Sequence, residues 1–168
     1  MVCKRYAMRV VKVLFVCYGN ICRSPIAEFV FRHMVSECGL ENCIKTASCA
    51  TSAEHIGDPV DYRSAKVLSK HGISCDGKTA RRLNTRDFSD YDYIIGMDSN
   101  NLRYIRTMQP LDGCCITGKI MDYAGGGDVS DPWYTGNFDK TYSDIEKGCR
   151  GLLTSIRKKY GWYDETVC

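Results

Sequence analysis

The sequence predicts a single α/β domain, a doubly wound sandwich whose central, mostly four-stranded parallel sheet is flanked by helices. Short apolar, β-branched runs alternate along the chain with segments of helical periodicity. No linker or repeat interrupts this alternation, and 168 residues are enough for one domain with a proper core. Strands that alternate with helices predict a parallel sheet with helices on both faces, and such sheets bind ligands at the carboxyl ends of their strands.

The first strand and the first helix follow each other closely. Arg9 to Val16 are mostly apolar and β-branched, and the run is too short for an ordinary helix, so it predicts a buried strand. In the helix that follows, Ser24 is the expected N-cap and Pro25 suits the first turn. Apolar residues then recur at helical spacing, at Ile26, Phe29, Val30 and Met34.

The later elements are predicted in the same way. Strands are expected at 43–51, at 91–97 and within 114–123. A helix is expected at 61–71, ended by Gly72, and another at 99–108. The last helix has an apolar stripe formed by Tyr142, Ile145, Cys149, Leu152, Leu153, Ile156 and Tyr160.

The turn between the first strand and the first helix has the composition of an anion site. It reads "VCYGNICRSP", with Cys17 at the strand end and Arg23 six residues later. Backbone N–H groups and the positive end of a helix dipole converge in such a turn, and the Arg fork matches phosphate oxygens. These donors are expected to depress the thiol pKa. The turn therefore predicts a nucleophile and an oxyanion cradle in one place.

Composition excludes several classes of partner. The net charge of +3 favours no polyanion, so no nucleic-acid partner is expected. Apolar runs fall far short of the roughly 20 residues that span a bilayer, and the charged start of the chain is a poor signal peptide. We therefore expect no membrane partner and a cytoplasmic location.

The eleven cysteines do not form a recognisable metal or disulfide pattern. Their number is odd, no CxxC pair occurs, and the three histidines are scattered, so we expect reduced thiols and no metal site. Cys38, Cys49 and Cys149 are expected to be small buried hydrophobes. Cys3 and Cys168 lie in end segments, 1–8 and 161–168, that we expect to be peripheral and inert.

The run "VCYGNICRSPIAE" resembles the low molecular weight protein tyrosine phosphatases. The resemblance continues through "TSAEHIGDPVDYRS", "HGI", "ARRLNTRDFSDYDYIIGMD" and "DPWY", and so covers the chain from Lys12 to about Tyr160. It implies a phosphatase acting on phosphotyrosine and aryl phosphates without a cofactor, as a monomer or a weak homodimer.

The resemblance implies roles for the turn. Cys17 would attack phosphorus and form a cysteinyl-phosphate, and Ser24 would donate a hydrogen bond to its sulfur. Asn20 would hold the turn in a left-handed backbone conformation. The phosphate would be bound by Tyr18, Gly19, Asn20, Ile21, Cys22, Arg23 and Ser24. Cys22 is also expected to form a reversible disulfide with Cys17 under peroxide, with simple buried packing as the alternative.

A proton donor for the leaving oxygen is implied in the loop "SDPWY". Asp131 matches the general acid/base of the family, and Asp128 is its nearest rival. Trp133 and Tyr134, which follow, are expected to line the substrate cleft, with Tyr134 a candidate for phosphorylation.

Two departures from the family pattern are visible. Glu54, next to His55, stands where relatives usually carry an aromatic residue. In the cleft it would favour basic peptides over acidic ones, and the alternative is a solvated loop charge. Lys78 lies near the place of a histidine that usually braces the loop asparagine; Ser48 is expected to reach Asn20 still, and activity is expected despite the change.

Two other functions agree less well with the sequence. Arsenate reductases share the fold and the loop, but they need further cysteines, and the segment 97–108 contains none. A phosphotyrosine-binding module without catalysis does not explain why the nucleophile and the acid are both present. A relative acting on phosphoarginine carries Thr where this chain has Ile21, which suits tyrosine better.

Overall fold

The computed structural model describes residues 9–162, and at its centre lies a four-stranded parallel sheet in the order β2-β1-β3-β4. The register pairs Val11 with Ile44 and Cys17 with Ala50, so β1 and β2 end at the same edge. The strands are β1 (Val11–Cys17), β2 (Ile44–Ala50), β3 (Tyr93–Gly96) and β4 (Ile116–Lys119). This is the predicted fold class.

Six helices and one 3₁₀ turn accompany the sheet in the described range. They are α1 (Arg23–Glu37), α2 (Tyr62–Lys70), α3 (Asp87–Asp90), α4 (Ser99–Met108), the 3₁₀ turn (Ile120–Tyr123), α5 (Pro132–Thr135) and α6 (Phe138–Tyr160). The first, second and sixth helices cover one face of the sheet, and α3 and α4 cover the other. The predicted helices at 61–71, at 99–108 and near the end of the chain are thereby confirmed.

Strand β1 is buried on both faces, which explains its unbroken apolar run. Val13 and Phe15 point into the larger core, where Phe15 meets the ring of Phe31 edge to face at 5.5 Å. Leu14 and Val16 point into the smaller core on the other face. A strand at the centre of a parallel sheet needs apolar side chains on both sides.

The start of α1 differs from the prediction. The helix begins at Arg23 with Cys22 in the N-cap position, so Ser24 lies inside the first turn and the expected Ser24 cap is wrong. Within the described residues no side-chain hydrogen bond caps this helix start. Its first N–H groups therefore remain available to an anion.

The cysteines divide by environment. Cys49 and Cys149 are fully buried, as expected, whereas Cys38 is only partly buried against the larger core. Cys43 takes part in a disulfide bond, so the expectation of reduced thiols is wrong at this position. Cys3 and Cys168 lie outside the described residues. Between residues 9 and 162, no helix is long and apolar enough to cross a membrane.

Candidate active site

The loop from Cys17 to Arg23 lies where β1 ends and α1 begins, at the carboxyl edge of the sheet. Asn20 has a φ of +57°, the left-handed conformation expected of it, and this lets the loop curl back on itself. The backbone N–H of Asn20 then lies 3.3 Å from the Cys17 sulfur. The strand end, the asparagine and the helix start thus bring a buried thiol and a ring of N–H groups together.

The direction of the hydrogen bond between Ser24 and Cys17 follows from the neighbouring Asn20. The side-chain oxygen of Asn20 accepts from the backbone N–H of Arg81 at 3.1 Å, so its NH₂ group faces Ser24 and donates to Oγ at 2.9 Å. The Ser24 hydroxyl then has two acceptors for its proton, the Cys17 sulfur 3.0 Å away and the more distant Cys49 carbonyl at 3.4 Å. A hydroxyl that donates to sulfur stabilises negative charge there.

A buried chain of polar contacts supports Asn20 from behind. Its NH₂ group also donates to Ser48 at 2.8 Å, as expected, and the Ser48 hydroxyl donates to Glu28 at 2.6 Å. Lys78 reaches the same carboxylate at 3.2 Å and donates to the Ser48 carbonyl at 2.9 Å. Lys78 therefore lies in a bracing position, and Glu28, which sequence analysis missed, connects it to the loop.

Arg23 is buried and is held by three acceptors. One terminal nitrogen donates to Asp98 at 2.6 Å and to the Val129 carbonyl at 3.1 Å, and the other donates to Asp131 at 3.1 Å. Burial acts to lower the pKa of Arg23, but the charges of Cys17, Asp131 and Asp98 raise it above its ordinary value. The guanidinium is thus a fixed positive charge at the base of the loop.

Sequence analysis also missed Asp98. It lies two residues after the end of β3 at Gly96, and the carboxyl end of this strand lies at the same sheet edge as Cys17. An acidic residue just beyond the end of a buried strand was the available signal. The side chain also caps α4 by accepting from the backbone N–H of Asn101 at 2.7 Å, so the carboxylate that holds Arg23 is itself held by a helix start.

Asp131 faces the loop, whereas Asp128 does not. One oxygen of Asp131 accepts from the backbone N–H of Trp133 at 3.0 Å, and the other meets Arg23. Asp128 instead contacts Lys119 at 2.8 Å and Ser99 at 2.9 Å. The hydrogen bond from Lys119 holds the pKa of the Asp128 carboxyl below its ordinary value. Of the two rivals, Asp131 alone borders the cavity over Cys17.

The cavity over the loop has a volume of about 120 Å³. Its lining includes the four cleft residues expected from the sequence, Glu54, His55, Trp133 and Tyr134. Glu54 accepts a hydrogen bond from the Tyr18 hydroxyl at 2.8 Å, so it stands on the cleft wall. A methyl group added at Gly19 would lie 3.0 Å from the His55 ring, which explains the glycine there.

Cys22 lies in the loop and borders the cavity, but its thiol is buried. Burial, followed by the charges of Asp61 and Cys17, raises the pKa of Cys22 to about 12. At neutral pH it is therefore a protonated thiol. Its disulfide with Cys17 stays a prediction.

Within residues 9–162, no cluster of His, Cys, Asp or Glu is arranged to hold a metal ion. What converges at the sheet edge is a thiol, a guanidinium, a carboxyl group and an uncapped helix start. The fold and the site together define an α/β protein with a Cys-to-Arg loop between its first strand and first helix.

Comparisons with known proteins identify the family. Residues 12–161 match the family model described as low molecular weight phosphotyrosine protein phosphatase. The Bacillus subtilis low molecular weight protein-tyrosine-phosphatase YfkJ is 42% identical, over 89% of this chain and 97% of that protein. The Schizosaccharomyces pombe low molecular weight phosphotyrosine protein phosphatase is 43% identical over 87% of this chain and 97% of the relative. The chain belongs to this family.

Solved structures agree with the assignment. The crystal structure of Bacillus subtilis YfkJ superposes with a TM-score of 0.86 at 41% identity, covering 92% of this chain and 98% of that one. The crystal structure of a Drosophila protein named arginine phosphatase superposes with a TM-score of 0.82 at 29% identity, covering 88% of this chain and 98% of that one. The same fold therefore occurs in proteins named for two different phosphorylated residues.

Proposed function

We propose that this chain acts as one domain that hydrolyses phosphotyrosine and other aryl phosphate monoesters through a cysteinyl-phosphate. The observation that carries the proposal is the pairing of the Cys17 sulfur with the Ser24 hydroxyl at 3.0 Å, next to buried Arg23 at the end of the loop. A nucleophile beside fixed positive charge is the arrangement that phosphoryl transfer needs.

In the first step, the Cys17 thiolate attacks phosphorus and the bond from phosphorus to the aryl oxygen breaks. Arg23 and the N–H groups of the loop bind the equatorial oxygens, whose charge they stabilise in the transition state. Asp131 donates its proton to the departing aryl oxygen, so that a neutral phenol leaves. The products are the cysteinyl-phosphate, the phenol and the Asp131 carboxylate.

In the second step, water attacks the phosphorus of the cysteinyl-phosphate. The Asp131 carboxylate accepts a proton from this water, and the bond between phosphorus and sulfur breaks. Ser24 stabilises the departing thiolate through its hydroxyl. Inorganic phosphate is released, and both Cys17 and Asp131 return to their starting states.

The cleft supports an aromatic phosphate as the substrate. Trp133 and Tyr134 offer ring faces beside the loop, and Ile21 adds an apolar surface. Serine and threonine phosphates are expected to be poor substrates because their short side chains do not bring phosphorus to Cys17. Phosphoarginine, the substrate type that the name of the Drosophila protein suggests, is the competitor to include in every assay.

The test measures free phosphate released from phosphotyrosine, phosphoserine and phosphoarginine across pH. A parallel assay supplies arsenate with a thiol reductant and measures arsenite. We expect phosphate release from phosphotyrosine above all others and no arsenite. Cys17→Ser should abolish turnover while still binding vanadate. Residual turnover above about a thousandth of the parent rate would remove Cys17 from the mechanism. Arsenite formation would identify the chain as an arsenate reductase.

A further inference from the structure

Arg63, near the start of α2, lies in a nest of aromatic rings beside the candidate site. Its guanidinium lies 5.4 Å from the ring centre of Trp133 and 4.7 Å from that of Phe138. A third ring, that of Tyr62, lies at 5.7 Å. These distances are typical of cation–π contacts. The rings belong to α2, α5 and the start of α6, so one side chain connects three helices.

The Arg63 guanidinium is itself fixed in place. Asp61, the N-cap residue of α2, accepts from Nε at 3.0 Å and from a terminal nitrogen at 2.9 Å. The backbone N–H of Asp61 donates to the Ile21 carbonyl at 2.8 Å, which ties this pair to the loop. A two-point contact between planar groups sets the orientation of the cation as well as its position. Arg63 is therefore a preorganised platform.

Helix α5, which Arg63 contacts through Trp133, has few other tertiary contacts among the described residues. Helix α5 has four residues, and only Pro132 among them is buried; Trp133 is half exposed. Outside Arg63, the Trp133 ring has a tilted contact with His55 at 6.1 Å. The backbone N–H of Trp133 donates to Asp131, so the place of the tryptophan and the orientation of the carboxyl group are linked. A one-turn helix depends on such tertiary contacts for its stability.

We propose that Arg63 is a positioning residue: by holding the Trp133 ring it keeps α5 against α2 and keeps the Asp131 carboxyl aimed at the leaving oxygen. The inference rests on the proposed function, in which Asp131 donates that proton. Arg63 touches no reacting atom and acts through Trp133. Losing it would leave the Cys17 loop intact while loosening the proton donor.

Arg63→Met is the informative variant because Met keeps apolar bulk against the rings and removes the cation and its fork. We expect kcat on phenyl phosphate to fall roughly two- to tenfold, the effect of losing one cation–π contact. The loss should be smaller on nitrophenyl phosphate, whose leaving group departs without a proton. In the Asp131→Asn background, Arg63→Met should have no further effect on kcat, because the group that it positions is already absent.

A structural readout accompanies the kinetics. With Trp162 replaced by Phe, the fluorescence of Trp133 alone is observed, and Arg63→Met should raise its quenching by acrylamide. Arg63→Lys, which keeps the charge without the two-point contact with Asp61, should be intermediate in both assays. Arg82→Met is the matched control, since Arg82 lies over Tyr104 and away from α5, and it should match the parent.

The outcomes separate two failures. If the unsubstituted protein does not hydrolyse aryl phosphates, the proposed function is wrong. If it does, and Arg63→Met lowers kcat equally on both esters and in the Asp131→Asn background, Arg63 acts on general stability and the inference is overturned. Unchanged quenching of Trp133 in Arg63→Met would overturn it as well, because the ring would then be held by other contacts.

Discussion

At the scale of single residues, the Asp131 carboxyl both caps a helix and contacts the Arg23 guanidinium. One oxygen caps α5 through the N–H of Trp133, and the other lies 3.1 Å from the Arg23 guanidinium. Asparagine at this position keeps an oxygen for the cap but carries no acidic proton. The substitution therefore separates the turn geometry from proton donation.

Asp131→Asn should lose about 100-fold or more in kcat on phosphotyrosine, whose phenol leaving group has a pKa near 10. The deficit should shrink on nitrophenyl phosphate, and the alkaline limb of the pH profile should flatten. Steady-state kinetics on both esters measure this difference. Asp128→Asn is the control, because Asp128 is bound to Lys119 away from the cavity. It should keep both the kcat and the pH profile of the parent. Equal deficits on the two esters would assign the proton donor elsewhere.

Glu54 is a second residue whose effect is local. Its carboxylate stands on the cleft wall within 2.8 Å of the Tyr18 hydroxyl, and this hydrogen bond raises the pKa of Tyr18 above its ordinary value. Next to it, His55 pairs with Asp58 at 2.9 Å, so a further carboxylate lies near this wall. Two acidic groups near the cleft mouth favour a substrate with basic residues beside its phosphotyrosine.

Glu54→Gln should reduce the preference for basic over acidic phosphotyrosine peptides about two- to fivefold in kcat/KM, the range of an exposed charge pair. The effect should be larger at low ionic strength and should fade in high salt, since exposed charges are screened. Glu41→Gln, an exposed carboxylate before β2, is the control. A preference that is insensitive to Glu54 and to salt would make Glu54 a solvated loop charge.

At the scale of elements, α1 and β2 are joined beneath the loop by the buried group of Glu28, Ser48 and Lys78. Lys78 comes from the segment after α2, and its ammonium is mostly buried beside the Glu28 carboxylate. Glu28 also pairs with Arg32 on its own helix, so removing Lys78 takes away one of the two cations that compensate the buried carboxylate. Asn20 in the loop donates a hydrogen bond to Ser48, so we expect its side chain to be held less firmly when this group is disrupted.

Lys78→Met should lower the free energy of unfolding by about 1–3 kcal/mol, because a buried charged group loses one partner. It should also lower kcat more than it raises KM, because Asn20 and Ser24 orient the nucleophile. The double variant Glu28→Gln with Lys78→Met should recover much of the stability. Urea unfolding and steady-state kinetics measure both effects, with exposed Lys66→Met as the control. If Lys78→Met has the free energy of unfolding and the kcat of the parent, Lys78 does not stabilise the loop.

The elements also show what the sequence can predict. The helix predicted at 99–108 is found at Ser99–Met108, where the structure adds Asp98 as its cap. Ser24 was wrongly expected as a cap because its hydroxyl is used by Asn20 and Cys17, contacts that local sequence rules do not contain. The single-turn helices α3 and α5 are too short to show a period. Asp98 was missed because it meets Arg23 across 75 positions of sequence.

At the scale of the whole molecule, the long helix α6 closes the larger core against α1 and the 3₁₀ turn. Gly148 and Gly151 allow this approach, since a methyl group at either would collide with the backbone of Ile120 or Tyr123. Between them Cys149 is fully buried, with its sulfur 3.8 Å from the Ala27 carbonyl. The helix therefore has a titratable group in the centre of the core.

Burial raises the pKa of Cys149 well above its ordinary value, and burial does the same for Cys49 and Tyr93. A cysteine thiol ionises at about pH 8.5 in an unfolded chain, while the folded chain holds its proton at higher pH. The contribution to stability is thus complete below about pH 8.5 and is lost as pH rises above it. The folded protein should lose stability in alkali before the surface pairs that Lys and Arg form with carboxylates are affected.

Cys149→Ala should cost about 1 kcal/mol at pH 7 through lost packing, and it should flatten the alkaline fall by up to about 1.4 kcal/mol per pH unit, the effect of one proton. Urea unfolding between pH 7 and 10.5, with a reductant present, measures both. Cys114→Ala is the matched control, because Cys114 is exposed and its loss should leave the slope unchanged. If Cys149→Ala keeps the parent slope, the alkaline loss arises from the other buried groups, and the core thiol of α6 does not set the upper pH limit of the fold.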